Sequence, residues 1–165
     1  MDKAIIEGAV HACSDYSVKL GREYIGHFKE IIERGAITNS IKRRRVSKLN
    51  LNHAETVADS SDLEVWETYR GFAFRARISN PQIVAQILHG VIKGCSFSFW
   101  TIKESLTDFI PEHPVRIRTI KSLDIYEISI LDINPAYPSE VKVISVPDAM
   151  MLDVYKARLK LLRGE

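Results

Sequence analysis

Apolar positions along the chain recur at two spacings, and the switches between them mark its elements. Alternation, the pattern of a strand half buried in a sheet, is clearest in "LEVWETYRGFAFRARIS". There Phe72, Phe74, Ala76 and Ile78 fall on one side, and Arg75 and Arg77 on the other. "AIIEGAVHACS" predicts a short apolar first strand. "SKLNLNH" predicts a brief one that alternates Leu49 and Leu51 with polar residues and ends beside His53. In "GCSFSF", Cys95, Phe97 and Phe99 alternate with Ser96 and Ser98. "RIRTIKSLDIYEISILDINPAYP" predicts a long β-rich stretch stopped by Pro135 and Pro138, and "SEVKVISV" a further strand.

Helical spacing takes over in three places. In "EYIGHFKEIIERGAI", Phe28, Ile31 and Ile32 predict a helix over roughly 24–34, with Gly35 as its C-terminal cap. "SNPQIVAQILHGVIKG" predicts a second, capped by Ser79 or Asn80, with Pro81 in the first turn. Its stripe of Ile83, Ile87 and Val91 is widened by Val84, Leu88 and Ile92, and Gly94 ends it. From Pro147 a final helix is predicted, with Met151, Val154 and Leu162 free to dock on the body or on a partner. "HAETVADSSD" reads as a polar, acidic loop, and "TDFIPEHPVRIRT" as a loop around Glu112 and His113. The order of elements implies a mixed α+β fold, a sheet curled toward a barrel with helices outside.

Composition narrows this little. A chain of 165 residues, 45% hydrophobic and 27% charged, fits one domain with a real core. The expected body is residues 1–146, followed by the 147–165 helix. A net charge of +2 does not call for a polyanionic partner. The basic run Lys42 to Arg45 reads most simply as a solvated loop or helix end, against contact with nucleic acid or an acidic partner. Two cysteines far apart, Cys13 and Cys95, predict free thiols in a reducing compartment, with one disulfide between them as the alternative. No basic segment leads into a long apolar run, and no run approaches 18 apolar residues, so a soluble, cytoplasmic protein is expected. No His/Cys cluster has ligand spacing, so neither a metal nor an organic cofactor is expected.

Candidate chemistry centres on the two serines. Side chains two apart on a strand share a face, so Ser96 and Ser98 point together, away from Phe97 and Phe99. Cys95 points with the phenylalanines, as a buried apolar residue rather than a nucleophile. A serine needs a neighbouring base, usually His, with a third group to orient the imidazole. Of His11, His27, His53, His89 and His113, His53 is best placed, at a strand end beside an acidic segment. The plainer alternative is a wet sheet face and a loop histidine. For the orienting acid, Asp124 and Glu127 in "SLDIYEIS" lie three apart and face opposite ways unless a bulge intervenes. Glu127 is expected on the face of Ile125 and Ser129, where it could instead pair with Arg116 or Arg118. An acid of 59–64 is a further choice.

Four blocks, in order, carry a resemblance: "HFKEIIERGAI", "LNLNH", "LHGVIKGCSFSF" and "IYEISILDINPAYPSEV". Together they resemble the tailed-phage prohead (procapsid) maturation proteases, distant relatives of the herpesvirus assemblin proteases. The resemblance implies an assemblin-like curled antiparallel sheet or β-barrel core with flanking helices. It implies a serine endopeptidase acting through an acyl-enzyme, with Ser96 as nucleophile, His53 as general base and Glu127 as third member, ahead of Asp124. Ser98 stands where the family usually has glycine. Backbone near Ile133–Tyr137 is the expected source of oxyanion donors. Implied substrates are phage scaffold and major capsid protein, and the protease itself, inside the assembling procapsid in the host cytoplasm. A homodimer or higher oligomer, and no membrane, go with this. Two departures stand out: Ala54 follows His53 where the family has an acid and then Gly–Arg, and a longer C-terminal tail is absent or trimmed. The alternatives are a non-catalytic procapsid component with the protease fold, and a nucleic-acid module built on Lys42 to Arg45. Near-neutral charge and the lack of a basic aromatic sheet face argue against the latter.

Overall fold

The computed structural model describes residues 2–22, 26–107 and 115–165. In chain order they form β1 (Ala4–Val10), β2 (Leu20–Arg22), β3 (Gly26–Ile32), α1 (Ala36–Arg43), β4 (Lys48–Leu51) and β5 (Glu55–Asp59). There follow β6 (Leu63–Thr68), β7 (Gly71–Ile78), α2 (Pro81–Leu88), β8 (Gly94–Leu106), β9 (Arg116–Leu131), β10 (Ser139–Ser145) and α3 (Asp148–Arg163).

Alternation in β1 and β7 builds the first sheet, antiparallel in the order β10-β1-β7-β6. Ala4, Ile6 and Val10 lie opposite Ile78, Ala76 and Phe72, and all six are buried on one inner face. Gly8 makes room for the Phe74 ring, whose Cε1 would lie 2.5 Å from any β-carbon added there.

The second sheet is organised by β9. β8 runs antiparallel along one of its edges. Along the other, β3 pairs in parallel with Arg116–Ile120, and β4 in parallel with Ile128–Ile130, with β2 and β5 outermost. The gap between β3 and β4 is filled by α1 and the residues after it. Ser40 Oγ accepts from Ile125 N–H at 2.8 Å, Arg43 Nη2 donates to Leu123 O at 2.7 Å, and Ser47 Oγ donates to Tyr126 O at 2.7 Å. Side chains thus satisfy the backbone that no strand reaches. The core lies against both sheets, with Phe72 edge-on to Phe97 at 5.1 Å.

Several expectations need correction. The α+β mixture holds, but the sheets do not close into a barrel, and among the described residues β8 pairs with β9 alone. The helix expected over 24–34 is strand β3. Phe28, Glu30 and Ile32 are buried in alternation, and Glu30 turns inward because Arg118 and Tyr137 meet it there. Gly35 therefore precedes α1, at φ 86°, rather than ending a helix. The polar segment after His53 holds β5, an edge strand whose solvent-facing residues hid its pairing with β4. α2 starts as expected, with Asn80 Oδ1 accepting from Gln82 N–H at 2.9 Å, but stops at Leu88. Gly90 turns the chain at φ 76°, and Gly94 opens β8 instead. In α3, Val154 is buried with Met150 and Ala157 against α2, while Met151 and Leu162 stay exposed. Among the described residues no helix is long and apolar enough to cross a membrane. The loop expected around Glu112 and His113 lies outside the described residues.

Candidate active site

Register brings the polar residues of β8 and β9 together. Ser96 lies opposite Ser129 and Ser98 opposite Glu127, so these four share a face of the sheet. Cys95, Phe97, Ile128 and Ile130 take the other face and are buried in the core. Beyond Ser98 the register slips: Phe99 pairs with Ile125, leaving Tyr126 as an extra residue in β9. This bulge flips parity along β9. Leu123 and Ile125 face the core together with Ile128 and Ile130, while Glu127 and Ser129 face the site. The expectation that Glu127 shares a face with Ile125 is therefore wrong. The bulge also brings Asp124, opposite Trp100, to the side of Glu127. Arg43 holds Asp124 Oδ1 through Nε at 3.1 Å and Nη2 at 2.8 Å.

His53 arrives from the tip of the β4–β5 hairpin. Ala54 N–H donates to Leu51 O at 3.0 Å, and the two central residues, Asn52 (φ 51°) and His53 (φ 58°), are both left-handed. That is a type I′ turn, in which asparagine is common and histidine is not. Asn52 anchors the tip to β9: its N–H donates to Ile130 O at 2.9 Å, and its Oδ1 accepts from Asp132 N–H at 3.2 Å.

The turn sets His53 Nδ1 2.7 Å from Glu127 Oε1. Ser129, fully buried, donates its hydroxyl to the same oxygen at 2.7 Å and lies 3.2 Å from Nδ1. Ser98 Oγ is 3.4 Å from Nδ1. Ser96 shares the face, but among the described residues its side chain makes no hydrogen bond. The structure thus brings together His53, Glu127, Ser98 and Ser129, with Ser96 one cross-strand pair away. Arg118 is not the partner of Glu127: it pairs with Glu30 and Glu104. His27 lies in β3 opposite Gly21, and His89 caps α2.

A carboxylate oxygen only accepts, so Nδ1 carries the proton and the Nε2 lone pair is left to act as a base. Cys95 is no rival nucleophile. It is wholly buried, its Sγ lies 3.4 Å from Ala9 O and 3.3 Å from Glu140 O, and burial pushes its thiol up to about 12. Gly94, two residues before Ser96, is packed closely: a β-carbon there would come within 2.6 Å of Ser139 Oγ and 3.2 Å of Pro135 Cγ. The Pro135–Ser139 segment therefore lies directly against the start of β8. A cleft of about 370 Å³ opens beside Ser98, walled by Phe28, Phe99 and Tyr126, with Glu30 and Arg118 in its lining. A cavity of about 550 Å³ between α2 and α3 contains none of these groups. Among the described residues no three His, Cys, Asp or Glu side chains are grouped to hold a metal ion.

A family model of caudovirus prohead serine proteases matches residues 2–151. The chain belongs to that family. Its members are serine proteases of the phage prohead, and the match covers every residue of the cluster just described. No curated protein and no solved structure matches the chain, and the expected likeness to the assemblins is not shown. Three contributors to this cluster were not singled out in the sequence. Ser129 had a signal, because Glu–x–Ser on a strand puts both side chains on one face. Asn52 had one too, since asparagine tolerates the left-handed backbone of a tight turn. A bulge between Asp124 and Glu127 was allowed for, but no residue marked Tyr126 as its place.

Proposed function

We propose that the chain is the capsid-maturation endopeptidase of a tailed phage, with Ser96 as nucleophile, His53 as general base and Glu127 as the orienting carboxylate. The observation that carries this is the 2.7 Å contact between His53 Nδ1 and Glu127 Oε1, on a sheet face shared with Ser96. Ser96 Oγ attacks the peptide carbonyl carbon while His53 Nε2 takes its proton, and the imidazolium is stabilised by Glu127. Collapse of the tetrahedral intermediate breaks the C–N bond, and His53 returns the proton to the leaving amine. Water, deprotonated by His53, then hydrolyses the acyl-Ser96 ester. Backbone N–H groups of Ile133–Tyr137 receive the oxyanion, a role supported by the packing of this segment on Gly94. Among the described residues the edge of β8 away from β9 pairs with no strand, which suits an extended substrate added as a further strand. Scaffold and major capsid protein inside the procapsid, and the protease itself, are the intended substrates. The body is residues 1–146, with α3 docked on it through Met150, Val154 and Ala157.

Ser98 is the second reading, favoured by its 3.4 Å approach to His53. That approach is to Nδ1, the nitrogen occupied by Glu127, and a protonated nitrogen cannot also accept a serine proton. Cleavage of the cognate capsid or scaffold precursor by single variants separates the two. Ser96→Ala should lower turnover by roughly 10⁶, with Ser98→Ala far milder. The reverse would move the nucleophile to Ser98, and undiminished cleavage by both variants would remove the serine mechanism.

A further inference from the structure

The basic run at the end of α1 adjoins the candidate site. Arg43 is spent on Asp124 and Leu123 O, but Arg44 is exposed and, among the described residues, has no carboxylate partner. Its guanidinium lies 4.9 Å from the centre of the Trp100 ring, which packs on Tyr126 at 4.3 Å between centroids. Trp100 is 51% exposed, an unusual condition for the largest side chain in a sheet. It follows Ser96 and Ser98 in the same outward row of β8, and Tyr126 is the residue that the bulge sets out of register beside Glu127. An aromatic pair topped by an unspent cation therefore continues the face of Ser96 and Ser98 along an edge that, among the described residues, pairs with no strand.

We infer that Arg44, Trp100 and Tyr126 form a substrate subsite, which binds an acidic stretch of polypeptide flanking the scissile bond. This rests on the protease reading above. A peptide added to the edge of β8 would pass Ser96, Ser98 and Trp100 in turn, at strand spacing. Its backbone or an apolar side chain would cover the exposed indole, and a carboxylate would meet Arg44. A single stacked pair with one free arginine does not make the track of aromatics and cations that single-stranded nucleic acid needs.

The test reads binding separately from chemistry. In a Ser96→Ala, Trp66→Phe protein, Trp100 is the sole tryptophan, since the chain has 2. A random Glu–Tyr copolymer at low salt should shift its emission, and a Lys–Tyr copolymer should not. Arg44→Glu should weaken the Glu–Tyr response about fivefold or more and create a response to Lys–Tyr. No response to Glu–Tyr, an equal response to Lys–Tyr, or an equal response to oligothymidylate would overturn the subsite. Failure of the serine mechanism would show instead as undiminished precursor cleavage by Ser96→Ala and Ser98→Ala, whatever the copolymers do.

Discussion

Two substitutions at His53, to glycine and to alanine, remove the same imidazole but leave different backbones behind. Both lose the 2.7 Å contact to Glu127, so that loss cancels when the variants are compared with each other. What remains is the left-handed φ of 58°. A β-carbon held there costs roughly 1–2 kcal/mol. The greater freedom of glycine in the unfolded chain takes back about 0.4–1 kcal/mol. Taking the middle of each range, the glycine variant should be the more stable by roughly 0.8 kcal/mol. In a chain of this size that is a gap of about 2–3 °C in Tm, measurable by calorimetry and by urea unfolding. Peptidase turnover should fall in both variants alike, by roughly 10⁶. An alanine variant as stable as the glycine variant would refute the reasoning, because the turn would then hold His53 without strain. The expected outcome fits a general pattern, in which unfavourable backbone persists where a side chain is needed for chemistry.

The remaining predictions concern the neighbours of His53 and the thiols. Ser129→Ala removes the hydroxyl that donates to Glu127 Oε1. A hydrogen bond of this kind is worth about 1.5–3 kcal/mol, so kcat should fall about tenfold or more while KM holds. Unchanged kcat would reduce Ser129 to packing. Burial pushes Cys95 up to about 12, and burial with Glu67 nearby does the same for Cys13. At pH 8 their thiolate fractions lie about a thousandfold below that of an ordinary thiol, so iodoacetamide should label them only after unfolding. Prompt labelling of the folded protein, followed by mass spectrometry, would contradict this.

Strand β7 and the helix start at Asn80–Pro81 were legible in the sequence because their signals are local. Period-two alternation and a capping residue before proline depend on nothing distant. β3 was not legible, since Phe28, Ile31 and Ile32 satisfy helical spacing. The deciding fact is a buried Glu30, whose partner Arg118 lies far along the chain. β5 was hidden because an edge strand buries few residues, so its polar composition resembles that of a loop. At the site, the shared face of Ser96 and Ser98 followed from strand parity, while His53 was singled out by the family resemblance. The pairing of Arg43 with Asp124 did not follow, because the two meet only in the folded chain.

The bulge at Tyr126 reconciles the two demands made on β9. In an unbroken strand, turning Glu127 and Ser129 toward His53 would turn Leu123 and Ile125 the same way. Those two side chains are wholly buried, and exposing each would cost about 1.5–3 kcal/mol. One inserted residue lets a single strand give Ile128, Ile130, Leu123 and Ile125 to the core and still present a carboxylate to the imidazole. The same insertion brings Asp124 to the site side, opposite Trp100. Arg43 holds Asp124 there, and its neighbour Arg44 lies over the Trp100 ring. The basic run, expected as a solvated helix end, is thereby tied to the bulged face of the sheet.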